Sequence, residues 1–131
     1  MGLTNLPFYK FGQEDIPRPW LPLIIKNPKT SQAIKVYGLI DTGADECALP
    51  AGYASLLGLT LQEGQVKDIN TGNGLTKAYA HVVSLEIKDY RFNNVLIDFM
   101  PNLHVPLLGV KSFLSRFILT IDYPKRKFSL T

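Results

Sequence analysis

Asn73-Gly74 lies between stretches in which apolar and polar residues alternate. Both residues accept a positive φ, so the pair specifies a tight β-hairpin. Downstream of it Leu75, Tyr79, Val83, Leu85 and Ile87 share one face at period two. His81 falls on that face as well, where a hydrogen-bonded structural histidine is the better reading. Further strands are expected at Trp20–Lys26, at 33–40 and at 95–100, separated by turns at 29–32 and 88–94. Two more, 118–123 and 127–131, flank a basic turn. Residues 51–58 and the stretch following Gly109 read as short helices. The expected fold is all-β with one or two short helices.

A chain of 131 residues suits one domain with its own core. Hydrophobic residues at 46% and charged residues at 19% place it among globular chains and exclude a disordered one. Residues 1–19, rich in Pro, Gly and polar groups, read as an extended arm ahead of a domain at 20–131. The net charge of +3 is spread thinly. Its one cluster, Lys125-Arg126-Lys127, follows Pro124 between apolar stretches and reads as a solvated turn, so no nucleic-acid partner is expected. No apolar run approaches the roughly 18 residues of a membrane helix. The first 20 residues lack the pattern of a signal peptide, and Leu6 stands where N-myristoylation requires Ser or Thr. No membrane partner is expected, and the reducing cytoplasm is the expected compartment. The single cysteine, Cys47, excludes an intrachain disulfide and a cysteine-rich metal site, and reads as a buried thiol.

Residues 39–50 read LIDTGADECALP. An apolar strand carries Asp41 straight into a Thr-Gly turn. Gly43 lets backbone approach the acid and point its N–H at the carboxylate, and Thr42 adds a hydroxyl. One isolated carboxylate is ionised at neutral pH and a poor base. Two forced together cannot both ionise cheaply and share a proton, so one activates water while the other polarises a carbonyl. The other aspartates are Asp15, Asp45, Asp68, Asp89, Asp98 and Asp122, and none sits in a second Asp-Thr-Gly. A symmetric pair therefore needs Asp41 from a second chain.

LIDTGAD, the NTGNG hairpin and the later PLLGVKSFL together resemble the signature of the retropepsin-like aspartic proteases, the retroviral proteases and their single-lobe relatives. The resemblance spans most of residues 20–123. It implies a retropepsin-like acid protease lobe: a closed or partly open β-barrel with a flap hairpin and short helices. It implies a homodimer, a peptide or protein substrate, and hydrolysis without metal or cofactor. By the same resemblance Asp41 is the catalytic aspartate, Thr42 braces the pair across the dimer axis, and Gly43 sets backbone beside it. Ala44 replaces the Ser of many pepsin-like motifs, and Asp45 lies where retroviral proteases hold substrate backbone. Gly72, Asn73 and Gly74 correspond to the tip of a flap closing over the peptide. Leu107, Leu108 and Gly109 pack behind the catalytic loop, and Val105 and Leu107 wall a side-chain pocket.

The chain departs from this pattern in two places. Val110-Lys111 replaces the Arg-Asn or Arg-Asp that often follows the late Gly, so Asp45 lacks its expected Arg partner. The C-terminal stretch reads as its own hairpin, whereas the retroviral dimer interleaves its chain ends. Two other readings stand beside the enzyme. One is a peptide-binding or dimerisation module on the same fold, since fold does not settle function. The other takes NTGNG as a phosphate cradle, against which no Lys-Ser/Thr follows and no helix begins.

Overall fold

The computed structural model describes residues 2–72 and 74–131. Ten strands carry the fold: β1 (Leu6–Pro7), β2 (Trp20–Lys26), β3 (Ala33–Ile40), β4 (Cys47–Pro50), β5 (Gln65–Thr71), β6 (Gly74–Ile87), β7 (Tyr90–Met100), β8 (Leu107–Leu108), β9 (Leu119–Asp122) and β10 (Lys127–Leu130). Among the described residues helix is confined to α1 (Tyr53–Leu56) and two single 3-10 turns at Leu61–Glu63 and Leu114–Arg116. The stretch after Gly109 thus forms a single 3-10 turn where a short helix was expected. None of the described helices is long and apolar enough to cross a membrane.

The larger sheet runs β2-β3-β8-β4-β7-β6-β5, and β6 returns to pair with β2 through Ile24–Lys26 and Ser84–Glu86. That pairing closes six strands into a barrel and leaves β5 outside it, with β6 as its ladder partner. Closure removes the open edges that would otherwise invite pairing with other chains. Inside lie Leu23, Ile25, Leu49, Val83, Leu85, Ile97, Phe99 and Phe113, each almost wholly buried. The smaller sheet, β1-β10-β9, covers one end. Leu3, Leu6, Phe128 and Leu130 carry its buried face into the same core, and Leu130 N–H donates to the Leu3 carbonyl. Residues 2–19 are therefore tied down by strand pairing to β10 and by burial of Leu3 and Leu6.

Two expectations change. The second strand of the β6–β7 hairpin begins at Tyr90, well before residue 95. Lys88 takes the left-handed conformation (φ 53°) and turns the chain within two residues, so Ile87 pairs with Tyr90. Asn93-Asn94, which look like a turn, form a bulge in the ladder between Val83–Val95 and Leu85–Phe92, with Asn94 at φ 58°. Leu75 does not join the core face of β6 and is 73% exposed. It lies on the part of β6 that pairs with β5 and not with β7, beyond the barrel. His81 is structural in its contacts: Nε2 lies 3.0 Å from the Leu61 carbonyl, and its ring stands edge-on to Phe99.

Cys47 begins β4 and is completely buried as a free thiol. Loss of hydration disfavours the thiolate and pushes its pKa up to about 11. Native protein at pH 8 should therefore resist a chromogenic disulfide reagent and react with one equivalent only after denaturation. Rapid reaction of the native protein would show that β4 opens readily.

Candidate active site

Asp41 is the first residue beyond β3. Its own N–H donates to the Leu108 carbonyl at 3.1 Å, continuing the parallel β3–β8 ladder by one rung. The chain then turns. Ala44 N–H donates to the Asp41 carbonyl, and Gly43 N–H donates to Asp41 Oδ1 at 3.0 Å. A carboxylate so held has one oxygen engaged by backbone and its position fixed by a barrel strand.

Behind this turn β8 runs between β3 and β4, parallel to the first and antiparallel to the second. Leu39 N–H donates to the Pro106 carbonyl, Val110 N–H to Ala44, and Lys111 N–H to Asp45. Gly109 sits at the tightest point. A Cβ there would fall 2.3 Å from the Glu46 carbonyl oxygen and 2.7 Å from that of Ala44. Only glycine fits between the loop and the strand.

In front of the turn opens a cleft of about 870 Å³. The structure brings Asp41, Gly43, Ala44, Asp45, Gly72 and Leu107 together around it. Thr42 is exposed beside it. Val105 and Gly74 do not line it: Val105 is exposed, and Gly74, at φ +99°, is exposed at the start of β6. Asn73 lies outside the described residues. The β5–β6 hairpin projects past the barrel from about Ala78, and its β5 side, with Asp68, Ile69 and Asn70, forms one wall of the cleft.

Several lining residues were not singled out from the sequence: Glu46, Ala48, Lys67, Asp68, Asp98, Met100 and Lys111. Lys111 Nζ stands 3.3 Å from Glu46 Oε1, so the basic residue two places after Gly109 meets Glu46 and not Asp45. Asp98 had a signal in the sequence, an acid inside the apolar run Val95–Met100.

A closed six-stranded barrel, an Asp-Thr-Gly turn braced by a threaded strand, and a hairpin walling the cleft define an aspartic protease lobe of the retropepsin type. The family model described as gag-polyprotein putative aspartyl protease matches residues 31–116, and the chain belongs to that family. A retropepsin-like aspartic protease from Rickettsia conorii has a similar crystal structure, with TM-score 0.67 and 27% identity over 83% of this chain and 87% of that one. EIAV protease, solved with the inhibitor HBY-793, shares the fold at TM-score 0.51 and 20% identity, covering 77% of this chain and 88% of that one. No curated protein matches the chain.

Gly109→Ala tests the crossing directly. The added methyl must displace the backbone at Ala44 and Glu46, and overpacking of this kind costs about 2 kcal/mol or more. The urea midpoint should fall at unchanged slope. An unshifted midpoint would mean the loop has room to move.

Proposed function

We propose that this chain is an aspartic endopeptidase that hydrolyses peptide bonds as a homodimer, using water activated between two Asp41 carboxylates. The observation that carries this reading is the mounting of Asp41. The acid is half-buried, engaged by Gly43 N–H, and faces a cleft of about 870 Å³. One lobe supplies one such acid, because the sequence has a single Asp-Thr-Gly.

In the proposed reaction one Asp41 carboxylate takes a proton from water as the oxygen attacks the scissile carbonyl carbon. The other, protonated, Asp41 donates to the carbonyl oxygen. Protonation of the nitrogen then lets the C–N bond break. No metal or cofactor takes part. Thr42, exposed in the single chain, meets its counterpart across the two-fold axis in this reading. Gly43, Ala44 and Asp45 offer backbone and carboxylate to the peptide. The hairpin through Gly72, Asn73 and Gly74 acts as the flap, adding the peptide as a further strand. Leu107 walls a side-chain pocket. We assign residues 20–131 to the protease domain and 1–19 to an arm that ties it to the C-terminal strand. Substrate is peptide or protein, and neither nucleic acid nor membrane is a partner. The compartment inferred is the cytoplasm, in keeping with one unpaired buried thiol.

One observation favours a binding module on the same fold. Among the described residues Asp45 has no ion-pair partner, since Lys111 turns to Glu46. Asp41→Asn separates the two readings. The amide keeps the shape of the acid but cannot accept a proton from water, so turnover of a mixed peptide library should fall roughly a thousandfold or more, with the melting temperature little changed. Substantial turnover by folded Asp41→Asn protein would sink the catalytic assignment. Peptide binding without turnover by either protein would favour the module.

A further inference from the structure

We propose that Asp98 sets the specificity of the cleft by selecting peptides that carry a lysine or arginine side chain; this rests on the peptidase reading above. β7 turns Val95, Ile97 and Phe99 into the core, and Asp98 and Met100 toward the cleft. An apolar side chain would serve a merely structural position here. Asp98 is instead an acid only 2% exposed. The neighbours in register are Ala48 on β4 and Ala80 on β6. Two methyl groups flank the acid, and the longer side chain that covers it is that of Lys67.

The charge of Asp98 is balanced by Lys67, whose Nζ stands 2.8 Å from Oδ1. A buried carboxylate is costly without such a partner. Lys67 belongs to β5, the outer strand of the hairpin, and its stem reaches Asp98 past Ala78 and Ala80. The side chain remains 29% exposed. When the hairpin lifts, Lys67 lifts with it, and Asp98 is left wanting a cation. A substrate ammonium or guanidinium supplies one.

The sign of the guest follows from the rest of the cleft. Asp41, Asp45, Glu46, Asp68 and Asp98 line it with carboxylates, against the ammoniums of Lys67 and Lys111. The chain as a whole carries +3, so the cleft is acidic on a basic molecule. Low-dielectric walls focus that field and favour a cationic peptide. An acidic guest would meet Lys67 but also the surplus of carboxylates. An apolar guest would cover Asp98 and give nothing in return.

The test uses matched peptides with Lys, norleucine or Glu at one position, scanned along the residues flanking the scissile bond. Parent, Asp98→Asn and Lys67→Met proteins are compared by kcat/KM. The parent should favour Lys over norleucine about tenfold or more at one position, with Glu poorest. Asp98→Asn should bring that ratio close to one, and Lys67→Met should raise it above the parent's. A parent that cleaves without cationic preference, or Asp98→Asn protein that keeps the preference, overturns the proposal. If Asp98→Asn protein does not fold, the Lys67→Met ratio decides, and a value at or below the parent's overturns it. Absence of cleavage of every peptide by the parent would overturn the peptidase reading and this proposal with it, a result distinct from cleavage without preference.

Discussion

The site depends on a backbone crossing. β8 runs between the strand that delivers Asp41 and the strand that leads away from it, and it bonds to both. Asp41 N–H reaches Leu108, while Val110 and Lys111 N–H reach back to Ala44 and Asp45. The turn from Asp41 to Asp45 is thereby held from both ends by main-chain bonds, which do not depend on rotamers or on salt. Gly109 makes the crossing possible because its missing Cβ is occupied by the carbonyls of Ala44 and Glu46. The Lys111–Glu46 pair over the crossing is largely solvated on the Lys111 side and adds little beside those bonds.

Because the crossing holds the turn, the carboxylate of Asp41 faces outward on a fixed mount while the barrel behind it stays apolar. The same barrel strand, β7, then does two things at once. Its odd-numbered side chains from Val95 to Phe99 fill the core, and Asp98 on its other face charges the cleft. The β5–β6 hairpin supplies the countercharge from Lys67 and stands outside the closed barrel. Its outer strand has β6 as ladder partner, so its opening would leave the barrel ladders intact.

Much of this was legible in the residues. Asn73-Gly74 and the alternation around it marked an antiparallel hairpin, and β2 and β3 have the bounds that their apolar runs suggest. Asp41-Thr42-Gly43 after an apolar strand, with Leu107-Leu108-Gly109 downstream, pointed to the family because glycine is demanded by close backbone approach. What was hidden depends on long-range geometry. Asn93-Asn94 have turn chemistry, yet the partner strand makes them a bulge. Leu75 fits the periodicity of β6, but periodicity does not reveal where the barrel ends. Lys67 and Asp98 are 31 positions apart in sequence and meet only because β5, β6 and β7 lie side by side. Nothing near Lys111 in sequence says that it turns to Glu46 and not to Asp45.

The central claim is that two chains share one catalytic pair, and subunit mixing tests it most directly. Parent protein at a fixed concentration, above that at which it dimerises, is mixed with increasing Asp41→Asn protein and allowed to exchange. If each active unit needs two Asp41 carboxylates, an equal amount of the variant should cut the activity to about half, and a large excess should extinguish it, because parent chains then sit in heterodimers. Activity that stays proportional to the parent protein alone, with exchange verified by labelled chains, would contradict the shared pair and place the whole catalytic apparatus within one chain.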